Sequence, residues 1–380
     1  MPVDPPAPAA PDPSSGLGYV PQLDGLRALA VGAVLITHFL PGTELTRRVD
    51  WGVIGVRLFF VLSGFLITRI LLDARAQKDA GALTLGRAFK TFYLRRVLRI
   101  FPIYYLTVLV MAAASPTIRE QAWVFLLYLQ NLKFAWDGAY GVAPHFWTLA
   151  VEEQFYLLWP AVVLLAPRRA LLGVVLGLIL AGPAWRLGVV LLGGSEVTAR
   201  VFTLGCTDTL GLGALLAVAR GREARAWVHP LGWVGAFTLP PLLLAHALAP
   251  DVPEADALWV VAGDLALGGC CLAWVARCAR AASSERPPLD LRLLANPALV
   301  FVGKISYGIY VYHFFVPRQL ERLGAKLGWE PGLYALAAAS VVVSLALAAA
   351  SWFALERPLA RLKRRLPYAA PRASEPLRPD

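Results

Sequence analysis

Ten apolar runs of about 20 residues constrain this chain more than any other feature of its sequence. A run of this length crosses the hydrocarbon core of a bilayer as one α-helix, since a helix rises about 1.5 Å per residue. Of the 380 residues, 58% are hydrophobic and only 16% are charged, which is typical of membrane proteins. We therefore predict an all-α integral membrane protein, a bundle of about ten transmembrane helices near 20–40, 52–72, 100–115, 145–166, 171–191, 201–219, 228–248, 258–276, 297–317 and 331–353.

The positions of Lys and Arg predict the orientation of the bundle. Of the 36 Lys and Arg residues, 25 fall on one alternating set of loops and ends and 8 on the other. Eight of the 25 lie in the predicted loop 69–99. Cytoplasmic loops of membrane proteins carry more Lys and Arg than the loops on the other side. Both termini belong to the set with 25, so we expect them in the cytoplasm. Basic residues facing anionic lipid headgroups account for the net charge of +11. Nucleic acid is therefore not an expected partner.

The membrane domain is predicted to span residues 19–357. Residues 1–18 are rich in Pro and Ala and have no basic segment before an apolar run, so they are predicted to be a disordered cytoplasmic tail, not a signal peptide. Residues 358–380 are predicted to be a basic cytoplasmic tail. The loops are too short for a soluble domain. The cysteines show no spacing typical of metal ligands, and no metal is expected.

The first apolar run, "LDGLRALAVGAVLITHF", carries Arg27 and His38. Eleven residues make three helical turns with a remainder of about 20°, so both side chains share one face, roughly 16 Å apart. A neutral His can accept a proton from a hydroxyl group. A hydrogen bond between helices is the alternative role for His38.

The segment "HFWTLAVEEQFYLLWP" places two carboxylates between apolar and aromatic residues. Successive helical positions diverge by about 100°, so Glu152 and Glu153 are not expected to share one face of a site. One is expected to orient His38 or hold an acceptor's hydroxyl groups, and the other to reach an interface. Trp147 suits an interfacial aromatic belt.

Two further segments carry polar groups. In "FYLRRVLRIFPIYYL", Arg95 and Arg99 lie one turn apart and could form a fork for a phosphorylated ligand. The alternative is that these residues, with Arg96, only anchor the helix at the cytoplasmic surface. In "GKISYGIYVYHFF", three residues share one helix face and could line a polar site or simply pack: Ser306, Tyr310 and His313.

The segment "RLFFVLSGFLI" contributes Ser63 and Gly64, small residues that let helices approach closely. A substrate contact by Ser63 is the alternative interpretation.

Five of these segments, taken in order, resemble the acyltransferase family 3 of bacterial membrane O-acyltransferases. The resemblance runs from about residue 19 to about 357 and rests on "LDGLRALAVGAVLITHF", "GVRLFFVLSGFLITRILL", "FYLRRVLRIFPIYYL", "HFWTLAVEEQFYLLWP" and "ISYGIYVYHFF". It implies transfer of an acyl group, usually acetyl, from cytosolic acyl-CoA to a hydroxyl of a sugar, cell-envelope glycan or lipid-linked acceptor. It also implies location in the bacterial inner membrane. Because the chain stops at Asp380, the stand-alone type without a soluble hydrolase-like domain is expected.

The resemblance also implies residue roles. His38 matches the essential histidine, Arg27 its paired arginine, and Glu152 the glutamate five residues after Trp147. Arg95, Arg96 and Arg99 match the family's RRxxR motif. Thr148 stands where the family leads us to expect Ser. We expect His38 and Glu152 to be catalytic, and the remaining candidates to bind substrate or acyl-CoA: Arg27, Ser63, Arg95, Arg96, Arg99, Trp147, Glu153, Ser306, Tyr310 and His313.

In this interpretation His38 acts as general base or carries the acyl group transiently, and Tyr310 is a candidate oxyanion donor. Two other classes stay open. A transporter or flippase for an anionic or glycan-linked substrate would use the same arginines at the cytoplasmic surface but would not break a bond. An accessory subunit of an envelope-synthesis complex would need no catalytic residue.

The orientation can be tested with single cysteines in a variant that lacks the four native ones. We expect Asp251→Cys to react with a membrane-impermeant maleimide in intact cells, and Ser283→Cys to react only after permeabilisation. The reverse pattern would contradict a cytoplasmic location of both ends.

Overall fold

The structure, a computed structural model, describes residues 18–219, 222–248, 253–281, 286–363 and 366–368. These residues contain no β-strand, which confirms the all-α prediction. Most of the two predicted tails, 1–18 and 358–380, lies outside the described residues. The part that is described includes a helix that continues to Lys363, beyond the predicted boundary at 357.

The helices follow one another with short connections. The first half of the chain forms α1 Pro21–Phe39, α2 Glu44–Arg48, α3 Trp51–Asp79, α4 Leu85–Ala114, α5 Pro116–Glu120, α6 Ala122–Leu126, α7 Gln130–Asp137, α8 Trp147–Leu165, α9 Arg168–Leu191 and α10 Glu196–Val201. The second half forms α11 Thr207–Val218, α12 Arg222–Leu248, α13 Pro253–Leu258, α14 Asp264–Ala281, α15 Leu289–Leu294, α16 Pro297–Lys304, α17 Ser306–Tyr312, α18 Val316–Leu327, α19 Leu333–Ser351 and α20 Arg357–Lys363. Short 3₁₀ turns cover Pro144–Phe146, Thr203–Cys206 and His313–Phe315, and π-helical segments cover Trp259–Gly263 and Trp352–Glu356.

All ten predicted apolar runs are helical. Within the described residues, six helices are long and apolar enough to cross a membrane. They become seven if Pro297–Lys304 and Ser306–Leu327, which meet at a bend of 54°, count as one span. The remaining runs form the 19-residue α1, the 12-residue α11 and the proline-interrupted α12. A multi-pass helical protein is therefore shown, whereas the count of ten and the orientation stay predictions.

The segment 69–99, predicted to be a cytoplasmic loop, is almost entirely helical, so that prediction is wrong. Helix α3 runs to Asp79, and Gly81 turns the chain with φ of +75°. Thr84 then caps α4, its hydroxyl accepting a hydrogen bond from the Arg87 N–H. The basic residues that suggested a loop lie instead on extensions of two apolar helices, where long charged side chains are well tolerated near the ends.

Helix α3 packs against α1 and α11. At Gly64 the contact is so close that a Cβ atom would lie 2.0 Å from the carbonyl oxygen of Leu210. Any side chain there would push the two backbones apart. The prediction that this small residue lets helices approach is confirmed.

A buried ionic cluster joins helices distant in sequence. The Arg57 guanidinium donates to the Asp264 carboxylate at 2.5 Å, and Arg186 donates to Asp208 at 2.6 Å. These four side chains are at most 1% exposed. Arg200 lies 3.8 Å from Asp264 and completes the cluster. It ties α3, α9, α10, α11 and α14 together.

Removing one partner of a buried ion pair leaves an uncompensated charge, at a cost of about 3–5 kcal/mol. We therefore expect Asp264→Asn to lower the thermal stability of the detergent-solubilised protein strongly. Asp290→Asn is the matched control, because it removes an Arg–Asp pair at the surface and should leave stability close to wild type. Equal melting temperatures for the two variants would contradict a structural role for the cluster.

Candidate active site

A polar cavity of about 100 Å³ lies between α1, α3, α4, α8 and α17, and we call it the inner cavity. Its apolar wall includes Phe59, Phe60 and Leu149. Its polar lining consists of Arg27, Ser63, Arg96, Arg99, Thr148, Glu152, Glu153, Tyr156, Ser306, Tyr307 and Tyr310. Because ionisable groups in a membrane protein usually face a cavity or a partner, this is the strongest candidate for a site in the described part of the chain.

A chain of hydroxyl groups holds Glu152. The Tyr156 hydroxyl donates to Ser63 Oγ at 3.1 Å, and Ser63 in turn donates to a carboxylate oxygen of Glu152. Each hydroxyl group has one hydrogen to donate, so both donations point toward the carboxylate. This arrangement fixes the orientation of Glu152 at the cavity wall.

Glu153 lines the same cavity, so the expectation that the two glutamates serve different surfaces is wrong. The side chains of Glu152 and Glu153 point about 100° apart when viewed along the axis of α8. A cavity bounded by five helices can nevertheless contact more than one face of α8. One carboxylate oxygen of Glu153, Oε1, is buried and has no hydrogen-bond partner in the described residues.

A second and larger cavity, of about 350 Å³, adjoins the first, and we call it the basic vestibule. Both are lined by Arg27, Leu66, Arg96 and Arg99. The vestibule has a single acidic lining residue, Asp24, which accepts a hydrogen bond from Arg27 at 2.7 Å. Its cationic lining residues are Arg27, Arg69, Arg95, Arg96, Arg99 and Lys363.

Contacts from both ends of the chain complete the vestibule. The Tyr19 hydroxyl donates to Asp24 at 2.8 Å, and the Lys304 ammonium lies 5.2 Å from the centre of the Tyr19 ring. Arg95 donates to the Leu366 carbonyl and lies 4.9 Å from the Tyr368 ring centre. Of the vestibule residues that the sequence analysis missed, Asp24 had a usable signal, because it precedes Arg27 by three residues and so shares its helix face.

His38 lines neither cavity and lies in a group of three imidazoles that we call the histidine cluster: His38, His145 and His313. The centre of the His313 ring is 5.0 Å from that of His38 and 5.1 Å from that of His145. No hydrogen bond between His38 and Glu152 occurs in the described part of the chain.

Tyr310 connects the inner cavity with the histidine cluster. Its ring lines the cavity and its centre is 5.5 Å from that of His313. Its hydroxyl donates to the His145 carbonyl at 2.9 Å and lies 2.7 Å from Thr148 Oγ1. The polar groups of the two regions are therefore continuous through one side chain.

The structure thus divides the predicted site residues among three places. Trp147 packs edge-on against Phe60, with ring centres 6.0 Å apart, and lines neither cavity. Arg95 belongs to the vestibule, and His38 and His313 belong to the histidine cluster. The inner cavity brings together Arg27, Ser63, Arg96, Arg99, Glu152, Glu153, Ser306 and Tyr310. In the residues described, no group of three or more His, Cys, Asp or Glu is arranged to hold a metal ion.

Fold and site together define a multi-pass helical membrane protein with a cationic entrance to a carboxylate-lined cavity. Residues 20–351 match the family model of an acyltransferase domain. The chain belongs to this family, the acyltransferase family 3 whose motifs it carries.

Several relatives resemble the chain over most of its length. The peptidoglycan O-acetyltransferase OatA of Listeria monocytogenes is 28% identical over 341 residues, or 78% of this chain and 49% of that protein. The putative peptidoglycan O-acetyltransferase YrhL of Bacillus subtilis is 30% identical over 376 residues, or 90% of this chain and 55% of that protein. The chain spans about half the length of these curated relatives. No solved structure matches it significantly.

The cationic lining predicts that the vestibule binds polyanions. We expect inorganic pyrophosphate to raise the melting temperature of the purified protein, and the effect to shrink as salt is added. A hydrogen bond to a charged group contributes about 1.5–3 kcal/mol, so Arg99→Gln should weaken pyrophosphate binding roughly tenfold or more. Arg318→Gln, at an exposed arginine on α18, is the control. Equal binding by the two variants would argue against an anion site at Arg99.

Proposed function

We propose that the protein transfers an acyl group, acetyl in the first instance, from acyl-CoA to a hydroxyl group of a cell-envelope glycan. Membership of the acyltransferase family supports the reaction class. The observation that carries the proposal is that the basic vestibule adjoins the inner cavity and shares Arg27, Arg96 and Arg99 with it, because a group of cationic side chains next to a polar interior suits a phosphorylated donor. The proposed location is the inner membrane of a bacterium.

Acyl-CoA is the proposed donor because its chemistry matches the two adjoining cavities. The nucleotide end of coenzyme A carries a diphosphate and a further phosphate, and guanidinium groups bind phosphates through paired N–H donors. The vestibule has six cationic lining residues and one carboxylate, which is itself bonded to Arg27. The slender thioester arm would extend from the vestibule into the inner cavity, past Arg96 and Arg99.

His38 is the proposed general base for the acceptor hydroxyl, or else the transient carrier of the acyl group. Arg27 lines both cavities and His38 lines neither, so a donor bound at Arg27 would have to extend beyond the inner cavity, past Tyr310, to bring its thioester near the imidazole. Tyr310 stands between the inner cavity and His38's cluster. Its hydroxyl, which donates to the His145 carbonyl in this structure, would turn from that carbonyl to act as the proposed donor to the oxyanion. Glu152, held by Ser63, would then orient the thioester arm or the acceptor.

The proposed acceptor is a hydroxyl group on a glycan, and peptidoglycan is the first to test. Two of the relatives are named as peptidoglycan O-acetyltransferases, one of them as a putative one. The exposed indole of Trp136, 91% accessible, and the half-exposed ring of Tyr140 lie in the segment that precedes α8. Aromatic rings of this kind suit the apolar faces of sugars. Acetyl is the proposed acyl group because the relatives are named as O-acetyltransferases.

The proposed base predicts a sharp kinetic effect. In proteoliposomes supplied with labelled acetyl-CoA and a soluble chito-oligosaccharide, His38→Ala should lower the rate of acyl transfer at least about 10²-fold, since general-base catalysis contributes about 10²–10⁴. His229→Ala, at an exposed histidine on α12, is the matched control and should behave as wild type.

The assay follows two products, free coenzyme A and the acetylated sugar. A transporter would release neither, so their absence with wild-type protein would contradict the proposed enzyme. Transfer by His38→Ala at the wild-type rate would contradict the role of His38 alone.

A further inference from the structure

The histidine cluster contains three imidazoles, and the proposed mechanism uses only that of His38. His145 is 3% exposed and His313 is fully buried, yet both belong to a membrane protein in which an unpaired polar group is costly. Phe314 packs against all three rings, with its centre 4.9 Å from that of His145, 5.5 Å from that of His38 and 6.4 Å from that of His313. A purely structural role would not require three imidazoles at one place.

Backbone carbonyls set the tautomers of the two buried imidazoles. His313 Nδ1 lies 2.7 Å from the Tyr310 carbonyl oxygen, and His145 Nε2 lies 3.3 Å from the Val311 carbonyl oxygen. A carbonyl oxygen only accepts, so each of these nitrogens carries the hydrogen. The other nitrogen of each ring is therefore a lone-pair acceptor.

Both of these acceptor nitrogens are unused. His313 Nε2 and His145 Nδ1 are buried and have no hydrogen-bond partner among the described residues. A buried acceptor without a donor is costly, and two such acceptors occur within one cluster. Such an arrangement suits groups that receive a proton during turnover.

His38 is the group that can deliver this proton. Its ring centre is 5.0 Å from that of His313, a separation at which facing ring nitrogens of two imidazoles can form a hydrogen bond. His145 lies on the other side of His313, 5.1 Å away. The order in space is therefore His38, His313, His145.

We propose that His313 accepts a proton from His38 during acyl transfer, so that these two imidazoles act as a relay, with His145 packed behind them. The proposal rests on the proposed role of His38. It makes His313 a positioning and proton-sharing residue, since His38 alone would contact the acceptor hydroxyl.

The balance of the step is as follows. The O–H bond of the acceptor breaks as its oxygen bonds to the thioester carbon, and the hydroxyl proton passes to one nitrogen of His38. The opposite N–H of His38 gives its proton to His313 Nε2, while the Tyr310 carbonyl holds the Nδ1 hydrogen of His313. The C–S bond then breaks, and the proton held by the cluster neutralises the coenzyme A thiolate. No oxidant, reductant or further reactant is needed.

The test uses the full chain in proteoliposomes with labelled acetyl-CoA and chito-oligosaccharide. His313→Gln keeps a similar size and an acceptor oxygen but cannot take up a proton. We expect its kcat to fall about 10²-fold, with KM for acetyl-CoA nearly unchanged. His229→Gln is the matched control and should retain wild-type kcat. Added imidazole should restore part of the activity of His313→Ala, which a merely structural defect would not allow.

A second measurement needs no variant. Rates of the wild type in mixtures of light and heavy water should depend non-linearly on the deuterium fraction, because two protons move in one step. A linear dependence would overturn the relay, and so would a His313→Gln enzyme with wild-type kcat. A wild type that releases no coenzyme A would overturn the proposed function, and with it the relay. Activity in His38→Ala would remove the relay's first member.

Discussion

A charged group in the interior of a membrane protein costs several kcal/mol unless a partner compensates it, and this constraint accounts for most of the polar structure of the protein. Arg57 and Arg186 meet the constraint completely, each paired with a fully buried aspartate. Around the vestibule the balance is different, because six cationic side chains line it and Asp24 is its one acidic lining residue. Fully buried ion pairs thus coincide with the packing of helices, and an excess of cationic side chains coincides with the vestibule.

The basic vestibule and the histidine cluster also differ in charge. Phosphate groups would supply the missing negative charge at the vestibule, whereas the histidine cluster at the far end of α1 carries neutral rings with unused acceptor nitrogens. Between these regions Tyr310 contacts both, through its place in the cavity wall and its hydrogen bond to the His145 carbonyl. The proposed chemistry therefore needs no large movement of charge through apolar surroundings.

The apolar runs predicted where the chain is helical, because bilayer thickness and the rise of a helix leave few alternatives for runs of 20 apolar residues. They did not predict the bend of 54° between Pro297–Lys304 and Ser306–Leu327. Basic residues misled the assignment of 69–99, since Lys and Arg are equally frequent in loops and on helix extensions. The motif residues Arg27, Ser63, Arg96, Arg99 and Glu152 do meet in one cavity. The partners of Arg57 and Arg186 could not be predicted, because Asp264 and Asp208 reach them only through tertiary packing. The prediction that Glu152 and Glu153 do not face one site was wrong. It considered the directions of the side chains on one helix, which give no information on how far a cavity extends around that helix.

The near-contact between Gly64 and the Leu210 carbonyl has a consequence for the size of molecule the protein can process. Helix α3 is in direct contact with the backbone of α11 at this point, so it cannot move closer to α11 to enlarge the space beside Ser63. The cavity wall formed by α3 is therefore fixed in position. Any broadening of the acyl group toward longer chains would have to come from another part of the wall, such as Tyr307 on α17, which could be exchanged for a smaller side chain.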